Sequence, residues 1–194
     1  MDTSLISLIP YEEFDHQTLV GALSSFKSPR NKITSLLRNG TIIRIKSGFY
    51  IFGETQRRGP YSKEILANLM YGPSYVSLEY ALSHYGLIPE RVEVVTSVTT
   101  KRSKSFKTPV GIFSYRFAPT DAYRFGITTE LTTKNRPFLI SIPEKALADK
   151  LRFDHIAIRS QRELGFYLFE NLRLDKTLLT EMNAAELHTI ANRC

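Results

Sequence analysis

The side chains best suited to chemistry in this chain are cations and short polar groups, and they gather in two stretches. The first is PRNKITSLLRNGTIIRIKSGFYIF at residues 29–52. Ile33, Leu36 and Leu37 follow at i, i+3 and i+4 and make one apolar stripe. At 100° per residue the opposite face carries Asn31, Ser35 and Arg38, flanked by Lys32 and Thr34. Guanidinium, amide and hydroxyl groups on one helix face are the donors that read base edges in a DNA major groove. Arg44 and Lys46 follow on a short alternating segment, where cations suit phosphates. The second stretch is Lys101, Arg102, Lys104 and Lys107 around Phe106, a basic turn able to hold phosphate, RNA or an acidic surface. A solvated hairpin tip accounts for it equally well.

Charge is distributed to match the first stretch. The chain carries 26 Lys and Arg against 19 Asp and Glu, a net +7. Between residues 26 and 58 stand Lys27, Arg30, Lys32, Arg38, Arg44, Lys46, Arg57 and Arg58 against Glu54 alone, so 8 − 1 = +7. The remaining residues, 18 basic and 18 acidic, sum to zero. Positive charge concentrated on one candidate reading element is the footprint of a nucleic-acid binder. A basic membrane-surface helix would have to be longer and amphipathic.

Enzyme chemistry finds no comparable support. His16, His84, His155 and His188 are scattered, without a metal-type partner at i+3 or i+4. No glycine-rich phosphate loop follows a strand, and GxSxG and HExxH are absent. Glu144 and Asp149, at i and i+5 on one predicted helix, diverge by about 140° and make a poor acid–base pair. Cys194 is the single cysteine, which leaves no disulfide or cysteine metal site within the chain. No apolar run reaches membrane-spanning length, and MDTSLISLIP lacks a basic n-region, so the expectation is a cytoplasmic protein without cofactor or metal.

The elements that must position these groups read as follows. Leu5, Ile6, Leu8 and Ile9 form an apolar lead-in closed by Pro10. Asp15 caps a helix carrying Leu19, Leu23 and Phe26; Ser28 caps the next, with Pro29 in its first turn and Gly40 at its end. A hairpin follows, with Ile43 and Ile45 pointing one way and Arg44 and Lys46 the other, turning at Lys46-Ser47-Gly48. Residues 53–60, GETQRRGP, have linker composition. Beyond them Ser62 and Ser77 cap helices carrying Ile65, Leu66, Leu69 and Leu78, Ala81, Leu82, Tyr85. Strands are predicted over 91–100, 111–118, 125–131 and 137–142, the basic turn lying between the first two. A helix opens at Pro143 with Ala146, Leu147 and Leu151 on its buried face, and the last forty residues are helical.

Over residues 14 to 155 the chain resembles the AbiEi family of antitoxins, from type IV toxin–antitoxin and abortive-infection modules. The likeness rests on residues 29–52, on YVSLEYALSHYGLIPE at 75–90, TSVTTKRSKSF at 96–106, GIFSYR at 111–116 and IPEKALADKL at 142–151. The resemblance implies an N-terminal winged helix that binds repeats in the protein's own promoter and represses the operon. It also implies a C-terminal domain that counters a nucleotidyltransferase toxin. By position, Arg30, Asn31, Ser35 and Arg38 match the recognition helix and Arg44, Lys46 and Ser47 the wing. Ser77, Glu79, Tyr80, Glu144 and Lys145 also fall in family motifs, where burial or capping explains them.

The expected architecture is α+β: a winged helix-turn-helix over 1–58, then an α+β domain over 59–194 with a mostly antiparallel sheet and a helical C-terminal end. The expected role is a non-enzymatic, DNA-binding antitoxin and autorepressor, with double-stranded DNA as ligand and the toxin as functional partner. A solo regulator without a toxin, or a module whose basic face docks an acidic protein, are the alternatives.

Overall fold

The computed structural model describes residues 7–154 and 160–191. Leu5, Ile6, His155 and Cys194, named above, lie outside the described residues. The protein is mixed α+β and divides into two compact units, Met1–Leu66 with Thr108–Val110, and Ala67–Lys107 with Gly111–Cys194.

The first unit sets two helices against a three-stranded antiparallel sheet. Strand β1 (Glu13–Asp15) runs into helix α1 (His16–Ala22), which is followed by helix α2 (Pro29–Arg38) and by strands β2 (Ile42–Lys46) and β3 (Phe49–Phe52), in the order β1-β3-β2. Asp15 caps α1, its Oδ1 accepting from the Thr18 amide at 2.8 Å. Ser28 stands at the N-cap of α2 but makes no side-chain cap bond, so Pro29 alone starts that helix. Ile33 and Leu36 are buried and Leu37 half-buried, as the stripe requires. They pack with Leu19 and Leu23 of the first helical stretch and with Phe14, Ile42, Tyr50 and Phe52 of the sheet.

The hairpin register differs from simple alternation. Ile42 pairs with Phe52 and Arg44 with Tyr50, yet Lys46 pairs with Phe49, so Ile45 is the extra residue of a bulge. Ile42, rather than Ile43, fills the core, and Arg44 shares that face at its margin. Ile43 lies on the other face with Ile51, and the bulge lets Ile45 be buried as well.

Residues 53–58 fold back onto this unit. The Gly53 amide donates to Thr41 O, and Arg58 reaches Ile9 O at 2.8 Å while its amide donates to Glu12. A Cβ at Gly53 would stand 1.8 Å from Gly40 O, so only glycine permits this backbone crossing. The amide of Ser62 donates to Glu13, and Ser62 Oγ caps helix α3 (Lys63–Met70) through the Ile65 amide.

The second unit is built on a mixed six-stranded sheet, ordered β6-β7-β5-β4-β9-β8. The strands are β4 (Ser74–Val76), β5 (Val95–Thr99), β6 (Lys104–Thr108), β7 (Gly111–Phe117), β8 (Ile127–Leu131) and β9 (Pro137–Ser141). The expectation of a mostly antiparallel sheet is corrected here. β5 runs parallel to β7 and β4 parallel to β9, while β4–β5 and β8–β9 are antiparallel. The cause is the chain after β5: it passes to the outer edge to form β6, so β7 returns between them in the direction of β5. Asn68 mends the sheet where β4 ends, its Oδ1 accepting from Leu139 N at 2.6 Å and its Nδ2 donating to Leu139 O at 3.2 Å.

Helix α4 (Leu78–His84) begins at Leu78, whose φ of 59° turns the chain sharply from strand to helix and is held by burial in a core with Tyr75, Val98, Ala118 and Ala122. Helix α5 (Thr120–Tyr123) is one turn, and helix α6 (Pro143–Phe153) is buried on almost every side from Glu144 to Lys150, with Leu151 only half-buried. Helices α7 (Gln161–Phe166), α8 (Lys176–Glu181) and α9 (Ala184–Ala191) complete the unit, with a wider π-type turn over Tyr167–Asn171. Ser160, Asp175 and Asn183 accept from backbone amides at the starts of these three helices.

Candidate nucleic-acid interface

Burying Ile33 and Leu36 turns the polar side of α2 outward. Arg30, Asn31, Thr34, Ser35 and Arg38 are exposed on it, and Lys32 is half-buried with its Nζ 5.0 Å over the Phe26 ring. Thr34 Oγ1 bonds back to Arg30 O at 3.1 Å, which occupies that hydroxyl within the helix. Arg38 closes the last turn, where the carbonyl end of the helix favours a cation. Gly40, at φ 72°, ends the helix as expected, and Asn39 Oδ1 accepts from Thr41 N and Oγ1.

The hairpin tip is fixed to the first helix: the His16 amide donates to Gly48 O at 2.8 Å, and Gly48 supplies the φ of 84° that the turn needs. Arg44 is exposed with its guanidinium 5.8 Å from the Tyr50 ring centre, and Lys46 Nζ lies 6.0 Å over Phe49. Ser47 is exposed at the turn. The unit therefore presents guanidinium, amide and hydroxyl groups on one helix face and cations on an aromatic-backed hairpin.

Arg57 and Arg58, two of the cations behind the local +7, turn out to serve the fold. Arg57 pairs with Glu54 and lies 5.2 Å from the Tyr61 ring, and Arg58 holds Ile9 O and the buried Glu12. Strand β1, which carries Phe14 and the Asp15 cap, escaped sequence reasoning because a three-residue strand is too short to show a period.

In the second unit the supposed hairpin tip is not one. Lys101 and Arg102 lie on the loop leading outward from β5, and Lys104 and Lys107 lie on the edge strand β6 itself. All four are exposed. Tyr71 donates to Arg102 O at 3.2 Å, and Ser103 Oγ accepts from Phe117 N at 2.9 Å, so the loop is anchored at both sides.

The motif residues inside this unit form two polar clusters. Asp149 Oδ2 accepts from Tyr75 OH at 2.9 Å and Ser77 Oγ at 2.8 Å, while Oδ1 meets Lys145 Nζ at 2.7 Å. Ser77 thus gives its hydroxyl to Asp149 rather than to the helix it precedes. Burial pushes the Asp149 carboxyl above the usual range, with Lys145 and the two hydroxyls opposing. Lys150 bridges Glu79 and Asp154 at 2.6 and 2.7 Å; desolvation alone lowers its pKa, but those two carboxylates outweigh it and raise it. Tyr167 donates to Asp154, and burial together with that carboxylate holds its hydroxyl protonated well above the ordinary tyrosine range. Glu144 accepts from the Asn183 amide at 2.7 Å, and Tyr80 N donates to Thr96 Oγ1. Lys145–Asp149 and Lys150–Asp154 are one turn apart along α6, and the other contacts join different elements of the fold.

Among the described residues no group of three or more His, Cys, Asp or Glu is placed to hold a metal ion, and no helix is long and apolar enough to cross a membrane. No protein-family model and no curated protein matches the chain.

Proposed function

We propose that the first unit is a winged helix-turn-helix that binds double-stranded DNA, with α2 as recognition helix and the β2–β3 hairpin as wing. The observation that carries this reading is the outward face of α2, on which Arg30, Asn31, Ser35 and Arg38 are exposed together while the apolar stripe is sealed. That face suits a major groove, and Arg44 and Lys46 suit the phosphates beside it. The resemblance to AbiEi antitoxins supports the fuller reading: a non-enzymatic cytoplasmic autorepressor that binds repeats in its own promoter and, through its second unit, counteracts a nucleotidyltransferase toxin.

Fluorescence anisotropy with the protein's own upstream DNA tests the first part. Salt-sensitive binding that prefers this sequence over a scrambled duplex is the expected result. Equal affinity for both duplexes refutes sequence reading by α2. Co-expression with a neighbouring nucleotidyltransferase tests the second part, and unrelieved toxicity in the presence of the folded chain refutes it.

A further inference from the structure

From residue 94 to residue 120 the chain contains no Asp or Glu, while Lys101, Arg102, Lys104, Lys107 and Arg116 add five positive charges. The five are exposed, and the topology brings them to β6, the loop before it and its neighbour β7 at one edge of the six-stranded sheet. Beside Lys101 and Lys104 is an aromatic trio, on the face of the sheet opposite Lys107 and Arg116. Tyr71, Phe106 and Tyr115 meet edge to face, with centroids 5.5, 5.2 and 5.7 Å apart. Lys101 Nζ stands 5.4 Å over Tyr71 and Lys104 Nζ 5.2 Å over Phe106. Both lysines are exposed and the Tyr71 and Phe106 rings beneath them are half-buried, so each ring is partly accessible with a flexible cation posted over it.

Lysines on an edge strand also guard against strand addition, which accounts for Lys104 and Lys107. It does not account for Lys101 and Arg102, which precede the strand, nor for cations posted over two aromatic faces in an acid-free run. A DNA duplex offers phosphates but keeps its base faces stacked, and a run of acidic residues offers carboxylates but no aromatic rings to stack. A single strand offers both charges and flat bases, which is what cations interleaved with ring faces hold.

We propose that this edge binds single-stranded nucleic acid, the cations taking phosphates and the Tyr71 and Phe106 faces taking splayed bases. The residues named for it belong to the second unit and none is on α2 or the β2–β3 hairpin, so the proposal can fail while duplex reading by α2 holds, and the reverse. The test uses the full chain carrying Arg30→Ala, Arg38→Ala, Arg44→Ala and Lys46→Ala, which removes the four cations of the proposed duplex face. Its probes are fluorescein-labelled short oligo(dT), a mixed-sequence duplex of the same length and a poly-glutamate peptide.

Oligo(dT) is expected to bind best and to quench tyrosine emission, a clean signal because the chain has no tryptophan. Phe106→Leu keeps apolar bulk and all charges, and should weaken oligo(dT) about five- to hundredfold with the salt slope unchanged. Lys101→Ser with Lys104→Ser should lower that slope by about 1.4. Circular dichroism checks each fold; should Phe106→Leu fail that check, the lysine pair and tyrosine quenching decide. Equal or tighter binding of duplex or poly-glutamate overturns the proposal. So does a folded Phe106→Leu variant that binds oligo(dT) as tightly as its parent, or oligo(dT) binding that ignores the lysine pair.

Discussion

Replacing Lys145 by Met should be among the most damaging single changes in the second unit. Lys145 and Asp149 lie one turn apart on α6 with both side chains fully buried, and their charged atoms are 2.7 Å apart. Lys145 Nζ also donates to Ala122 O at 2.8 Å. Methionine fills nearly the same space but leaves the Asp149 carboxylate with only the Tyr75 and Ser77 hydroxyls. Breaking a buried pair from one side costs about 3–5 kcal/mol, a large share of the 5–15 kcal/mol or so that holds a domain together. The carboxyl escapes part of this by taking a proton, which fixes the pH dependence. Burial already raises its folded pKa above the unfolded value, and the variant loses the largest opposing effect. The folded state then binds more protons than the unfolded one. The parent shares this dependence up to its own raised Asp149 pKa, so the deficit is smallest at acid pH, grows by up to about 1.4 kcal/mol per unit once that pKa is passed, and levels off above the variant's higher one. Urea unfolding at about pH 4.5 and pH 7.5 reads this directly, and Asp149→Asn added to Lys145→Met should recover most of the loss at the higher pH. A deficit under about 1 kcal/mol, one that is flat with pH, or one that Asp149→Asn leaves untouched would refute the reasoning.

Three substitution predictions concern the first unit. Arg38→Ala should cost about 1–3 kcal/mol on specific DNA and relax preference at one position, whereas Arg44→Ala should weaken all sequences alike and reduce the salt slope by about one; anisotropy titrations across salt separate the two. Gly53→Ala should destabilise by about 3 kcal/mol in thermal melts, because its Cβ meets the Gly40 carbonyl oxygen, a backbone atom that cannot swing aside. Asp15→Ala should cost about 1 kcal/mol of stability. The bond from the Thr18 amide holds the Asp15 pKa below 3.8, so its contribution is present above that pH and fades as pH falls through the lower folded value; the variant should lose this acid-side dependence in a pH series of melts.

Local signals in the sequence located most of the helices. The Ile33/Leu36 stripe, the Asp15 cap, Pro29 and Gly40 are decided by neighbours within a few residues, and the structure keeps them. Non-local pairing was not legible. Nothing near residues 101–107 shows that the chain travels to an outer edge before β7 inserts beside β5, so a strand bearing Lys104 and Lys107 reads as a turn. The Ile45 bulge is hidden for the same reason, since Ile43-Arg44-Ile45-Lys46 alternates faultlessly until the partner strand sets the register. In α6 burial or capping accounts for Glu144 and Lys145 from the sequence, but the partners of Glu144, Lys145, Asp149 and Lys150 were not legible, since each finds one on another element or on the next turn. The exposed face of α2 was legible because an amphipathic helix declares its outer side by what it buries.

The join between β4 and β9 has a consequence for how the second unit breathes. These strands are in register at one residue pair, Val76 with Ile140, and the Asn68 amide carries the contact one position further at Leu139. On one side β5 and β7 match over five positions, and on the other β8 and β9 do the same. The six strands are thus two well-knit panels stitched along a short seam, and a seam is where a cooperative structure first parts. Native-state hydrogen exchange should show the Leu139 amide opening ahead of the amides inside either panel. The Ile127–Leu131 and Pro137–Ser141 hairpin should then exchange as a block of its own, well before the strands around Val98.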